Sequence, residues 1–220
     1  MFIELVDSLR CVEPHEDTWL VAAVSRMDGR HIMDGVLGCP ICRREYPVRD
    51  GVGWFTPPTV PPAAPHESPR AADRTARGDR ELAERAGALL GLLDPGGVIV
   101  LGGRWVGCSD LLADVGPAHV VVLDPSAVPS ENERVSAIRV AERLPFAAAS
   151  LRGVALDEAP TGTELLASSV SALRSRGRLV APAGAPLPDG VVELARDAED
   201  WVAERAAVAS APVPLRSTRR

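Results

Sequence analysis

Cys39-Pro40-Ile41-Cys42 sets two thiols two residues apart, and no other feature restricts so strongly what this chain can fold into. Upstream, Cys11 and His15 form a C-x3-H pair. A tetrahedral Zn²⁺ takes four nitrogen or sulfur ligands, and two such pairs brought together by a small sheet supply them. The interval between the pairs has room for two or three short strands. A unit of roughly 50 residues is too small to be stable on a hydrophobic core alone. Metal binding, on the order of 10–16 kcal/mol in zinc-finger peptides, accounts for how it folds. A redox role for Cys39 and Cys42 would call instead for a low-pKa thiolate at a helix N-terminus within a βαβ unit. Here the motif runs into residues 43–51 (RREYPVRDG), which read as a turn and a strand. Zinc held by Cys11, His15, Cys39 and Cys42 is the expectation, with Glu13 and His31 competing for the place of His15.

The rest of the composition fits that reading. Three of the four cysteines fall in the first 42 residues, which argues for a metal site rather than a disulfide framework. Between Thr56 and Gly78 the chain turns rich in Pro and Ala and loses all aliphatic periodicity. Such a stretch buries too little apolar surface to offset its ordering entropy and reads as an extended linker. The chain therefore divides into a ribbon over 1–55, a linker over 56–78 and a larger domain over 79–220. A net charge of −6 and a pI near 5.3 give no broad basic footprint, so nucleic acid is not favoured as a partner. Arg43, Arg44 and Arg49 read as a solvated face. Neither a signal peptide nor a run of about 18 apolar residues is present, and the expected location is the cytoplasm, off the membrane.

Within the ribbon, residues 19–25 and 51–55 read as strands, and Asp28-Gly29 and Asp34-Gly35 as turns between them. Beyond the linker, Leu82, Ala86, Leu89, Leu90 and Leu93 make one face of a helix over 80–93, capped by Asp79 and ended by residues 94–97. A strand over 98–101, a helix over 109–115 and strands over 119–123, 137–140 and 153–156 follow. A helix over 161–176 opens with a Thr161–Glu164 capping box and stops at Gly177. A fifth strand over 178–181 and a hairpin from 191–195 and 201–204 complete the pattern. This alternation predicts an α/β fold, a mainly parallel sheet with helices on both faces, pared down around its third strand.

Residues 35–55 (GVLGCPICRREYPVRDGVGWF), with 4–11 (ELVDSLRC), resemble the Trm112-like zinc-ribbon family. There a C-x2-C knuckle runs into Tyr-Pro and then Arg-Asp-Gly. The resemblance departs where the family has a second cysteine after the first, since His15 stands here. It implies a protein-interaction role, because family members bind and stabilise methyltransferases. A methyltransferase or a second copy of the chain is the expected partner.

Residues 98–206 resemble a class I S-adenosylmethionine-dependent methyltransferase, a compact Rossmann-like sheet. The likeness rests on the strand and glycine loop of 98–107, the acid Asp124 after the second strand, residues 141–146 (AERLPF) and residues 175–180 (SRGRLV). In such a site loop glycines let the backbone approach the cofactor and the acid holds the ribose hydroxyls. The resemblance assigns those roles to Gly103, Gly107 and Asp124; Asp124 also reads as a turn residue before Pro125. The usual acid and middle glycine of the loop are replaced by Leu101 and Trp105, and an indole fills space a ligand would need. S-adenosylmethionine is thus left in doubt as a cofactor. A degenerate, non-catalytic scaffold is expected, and an active methyltransferase with its ribbon fused in cis is the alternative. Asp157 and Glu158 read as bases or caps, and Cys108 as a reactive or a packed thiol.

Overall fold

The computed structural model describes residues 1–56, 76–92, 96–115, 118–124, 132–157 and 162–206. Linker residues 57–75, Thr161 of the proposed capping box, Glu158, Leu93, Asp94 and Pro95 lie outside them, while 76–78, expected as linker, open the first helix. A 3-10 turn over Ile3–Ser8 leads into strands β1 (Val21–Asp28), β2 (His31–Gly38), β3 (Glu45–Arg49) and β4 (Val52–Phe55). Helix α1 (Ala76–Leu90), β5 (Val98–Leu101), a 3-10 turn over Gly103–Cys108, α2 (Ser109–Val115), β6 (His119–Leu123) and β7 (Val135–Val140) come next. The chain continues through β8 (Leu151–Ala155), α3 (Thr163–Ala172), β9 (Leu173–Pro182), β10 (Val191–Arg196) and β11 (Asp200–Arg205). Among the described residues no helix is long and apolar enough to cross a membrane.

The eleven strands among the described residues form one sheet in the order β1-β2-β3-β4-β7-β6-β5-β8-β9-β11-β10. β7, β6, β5, β8 and β9 are parallel, and the β10–β11 hairpin closes the far edge antiparallel. The strand order reverses between β5 and β8, the switch point of a Rossmann-like sheet. β5 and β6 alternate the side they bury. Ile99, Leu101, Val120 and Val122 face a core with Ala86 and Leu90 of α1 and Leu112 and Ala113 of α2. Val100, Val121 and Leu123 face a core with Leu165, Leu166 and Val170 of α3. The expected α/β fold with helices on both faces is thus present.

The ribbon is not a separate bead. β4 pairs in parallel with β7, Val52 opposite Ala137 and Phe55 opposite Val140. The N-terminal segment then crosses the α3 face. Phe2 stacks on His119 with ring centroids 4.5 Å apart, and its N–H donates to Ser136 Oγ at 3.0 Å. Arg10 N–H donates to Pro145 O, and Ala147 N–H to Ser8 O, both at 2.8 Å. Met1, Leu5 and Leu9 belong to the same buried cluster as Val121, Ile138 and Leu151. Among the described residues no helix stands directly before or after β7. The N-terminal segment covers that part of the sheet instead.

Four local expectations are corrected. Asp34-Gly35 is no turn but mid-strand in β2, where Gly35 pairs with Val24 and with Val48. A Cβ there would lie 2.7 Å from Ala23 O, so glycine is needed for close strand approach at a register shift. Asp79 is no N-cap, because α1 begins at Ala76 and Asp79 sits in its first turn. The third helix ends at Ala172, not Arg176: Leu173 pairs with Leu151, and Gly177 is a β9 residue whose Cβ would meet Arg174 O at 2.9 Å. Trp19 makes only an isolated bridge to Arg10, and β1 starts at Val21.

Candidate metal centre and cofactor edge

Cys11 and His15 come from the loop before β1, and Cys39 and Cys42 from the turn between β2 and β3. That turn folds as a knuckle because Arg43 takes a left-handed φ of 59°, with Arg43 N–H donating to Cys39 O and Cys39 N–H to Arg44 O. One ligand atom from each of the four residues lies within 4.8 Å of all the others. Cys11 Sγ and Cys42 Sγ are 3.6 Å apart, and Cys39 Sγ and His15 Nε2 are 3.4 Å apart. Zn–S lengths near 2.3 Å and Zn–N lengths near 2.0–2.1 Å imply tetrahedral edges of about 3.8 and about 3.6 Å. The donor set and its spacing fit zinc.

His15 Nδ1 lies 2.6 Å from Glu16 O, which assigns the proton to Nδ1 and leaves the Nε2 lone pair facing Cys39. The same hydrogen bond raises the His15 pKa. Burial opposes ionisation of Cys39, but the backbone N–H groups of Cys42 and Ile41 prevail and bring its thiol down to about 7. Burial pushes Cys11 up to about 11 against the hydrogen bond from Tyr46. A bound cation would reverse that balance. Neither competitor for the fourth position joins the cluster. Glu13 pairs with Arg44 at 3.7 Å, and the His31 ring lies against Phe2, 5.8 Å between centroids.

The second candidate site lies where β5 and β6 end. Gly103 has a φ of +62°, and a Cβ on it would sit 2.4 Å from Asp157 Cβ. The close approach here is to Asp157, whose Oδ2 accepts the Arg104 N–H at 3.1 Å. Asp157 is therefore committed to capping the loop. Trp105 is fully buried in the cluster that includes Ala86 and Leu90, and its indole N–H donates to Leu156 O at 3.1 Å. Cys108 is a packed thiol, 0% exposed, donating to Trp105 O. Gly107 is exposed at the end of the turn. Asp124 ends β6 with a φ of 47°, and its Oδ1 accepts the Val140 N–H at 3.3 Å. One side of Asp124 is exposed, yet desolvation against the strand ends pushes its carboxyl up to about 6, opposed by the Val140 hydrogen bond and Arg139. The carboxyl thus ties two strand ends together, as a turn residue does.

Sequence reasoning missed Asp200, which organises this edge from the start of β11. It is 3% exposed, and both its oxygens take Arg104 Nη2 at 2.5 Å, while Arg85 Nη2 reaches Oδ2 at 2.8 Å. Asp197 accepts from the same Arg85 Nη2 at 2.7 Å, and Glu199 meets Arg104 at 3.2 Å. The one sequence signal was a carboxylate run, 197–200, facing an arginine in the glycine loop. Breaking a buried pair strands the surviving charge. Asp200→Ala is expected to cost about 2–4 kcal/mol, at the lower end because both arginines keep some hydration. Urea unfolding checks this, and a loss under about 0.5 kcal/mol would show that the carboxylate holds nothing.

No protein-family model matches the chain, and no curated protein matches it. Solved structures do. A geranyl diphosphate C-methyltransferase from Streptomyces coelicolor, in complex with Mg²⁺, geranyl diphosphate and S-adenosyl-L-homocysteine, is 19% identical, with a TM-score of 0.37, covering 48% of this chain and 45% of that one. A methyltransferase from an antibiotic biosynthesis pathway of Anabaena variabilis is 23% identical, with a TM-score of 0.39 and coverages of 47% and 45%. The [4+2]-cyclase SpnF is 13% identical, with a TM-score of 0.41 and coverages of 54% and 58%. The chain spans about half the length of these proteins.

Proposed function

We propose that this chain is a zinc-binding, methyltransferase-like scaffold rather than a working methyltransferase, with its ribbon clamping its own Rossmann-like sheet. The observation that carries the reading is Trp105. Its indole lies buried just past the end of β5, next to the switch point where Rossmann-like sheets bind ligands, and is tied to Leu156 O. Asp157 beneath Gly103 and the Arg104–Asp200 pair support it, because they occupy the loop that a cofactor would touch. Zinc at Cys11, His15, Cys39 and Cys42 has a structural role in this reading, since four protein ligands leave no open position for chemistry.

The partner in this reading is a protein, either a methyltransferase or a second copy of the chain. Apolar side chains exposed at or beside the two sheet edges support that, Trp19 and Val21 by β1 and Val192 and Leu194 on β10. The alternative, an active methyltransferase with its ribbon in cis, draws on Asp124, which still closes the second parallel strand with a partly exposed carboxyl. Calorimetry on the intact, zinc-loaded chain separates the two. Titration with S-adenosylmethionine is expected to give no heat of binding up to millimolar concentration. Micromolar binding would restore the enzyme and end the scaffold reading.

A further inference from the structure

On the reading that Cys11, His15, Cys39 and Cys42 hold a metal, we infer that Tyr46 is a positioning residue for that centre, a fixed O–H donor that orients and stabilises the Cys11 sulfur as a thiolate ligand. The Tyr46 hydroxyl lies 3.1 Å from Cys11 Sγ and 3.3 Å from the Val12 backbone nitrogen. Val12 N–H donates to the phenolic oxygen, which leaves the one phenolic hydrogen for the sulfur. A metal-bound cysteine has lost its proton, so the hydrogen bond between them can run only from oxygen to sulfur.

The ring that delivers this hydroxyl is immobilised. Tyr46 is 1% exposed, sits in β3 opposite Leu37 of β2, and stacks on Phe55 with ring centroids 4.8 Å apart. The same oxygen therefore holds the loop at Val12 and the ligand at Cys11, one residue apart. Cys39 needs no such help, because the N–H groups of Ile41 and Cys42 in its own knuckle serve it. Cys11 takes one such N–H, from Glu13. The cross-strand tyrosine takes over part of that work.

Tyr46→Phe in the full chain, loaded with zinc or with cobalt(II), tests this. The fold by circular dichroism is expected to be retained. Zinc affinity, read by competition with a chromophoric chelator, should fall 10- to 100-fold, as outer-shell losses do. The sulfur-to-cobalt charge-transfer band should move to longer wavelength, because a sulfur lone pair freed of its hydrogen bond is more easily ionised. Tyr46 is the only tyrosine in the chain, so growth on fluorotyrosine replaces that residue alone. Its more acidic hydroxyl should move the band the opposite way with the fold untouched. Phe55→Leu, which loosens the ring and spares the hydroxyl, should leave the band in place.

An unmoved band and equal affinity in Tyr46→Phe overturn the inference and leave the metal site standing. A band that moves as far in Phe55→Leu overturns it too, by making packing the cause. Failure of the unaltered chain to bind zinc or cobalt removes the metal reading itself, a separate outcome.

Discussion

Stripping zinc from the proposed Cys11–His15–Cys39–Cys42 centre with a strong chelator is expected to melt the whole chain in one transition, not the ribbon alone. A ribbon joined by a loose linker would unfold by itself and leave the larger domain intact. Here, β4 is a strand of the common sheet through its pairing with β7. Met1, Leu5 and Leu9 are core residues of the Rossmann-like part. Losing the ribbon would expose β7 along one edge and uncover much of the α3 face. Structural zinc contributes on the order of 10–16 kcal/mol in small domains, comparable to the roughly 5–15 kcal/mol total stability of an ordinary protein.

Trp105 and Trp201 report on the larger domain, since both are fully buried and lie far in sequence from Cys11, His15, Cys39 and Cys42, whereas Trp19 and Trp54 report on the ribbon. The emission of Trp105 and Trp201 should shift to the red on chelation, together with the loss of helical circular dichroism, and should return when zinc is restored. Helical circular dichroism that survives complete metal removal, with only the ribbon tryptophans responding, would mean that the two parts are energetically independent.

How much of this was legible in the sequence depended on how local each signal was. The strands over Val98–Leu101 and His119–Leu123 and the helix Ser109–Val115 were readable to the residue, because their apolar runs end at glycines or polar breaks. That Cys11, His15, Cys39 and Cys42 would come together was readable because metal chemistry restricts the types and spacing of candidate ligands. What stayed hidden was long-range. Nothing in residues 1–10 announces that Phe2 will stack on His119 or that Ser8 will accept from Ala147. Asp34-Gly35 has turn chemistry, yet the approach of Ala23 O makes it a strand glycine. The helix over 163–172 lost its last expected turn because Leu173 found a β8 partner in Leu151, tertiary pairing outweighing local propensity. Asp200 was invisible for the same reason: its value lies in two arginines roughly a hundred residues upstream.

Trp105→Ala should cost about 3–5 kcal/mol, the usual range for deleting a buried aromatic side chain. Leu156 O loses its donor as well, and in a buried setting that adds to the loss. Thermal and urea unfolding measure the effect. The same variant also bears on what the ring excludes. If the indole occupies the cofactor's space, its removal opens a cavity beside Gly103 and next to Asp157. S-adenosylmethionine should then stabilise the variant and not the unaltered chain, by about 2.7 kcal/mol at a hundredfold excess over Kd. Equal stabilisation of both would mean that the cofactor never met the ring, and the steric argument against catalysis would collapse. Stabilisation of neither would leave Trp105 as a core residue whose removal opens no usable cleft, with Arg104, Asp157 and Asp200 enough to close the edge.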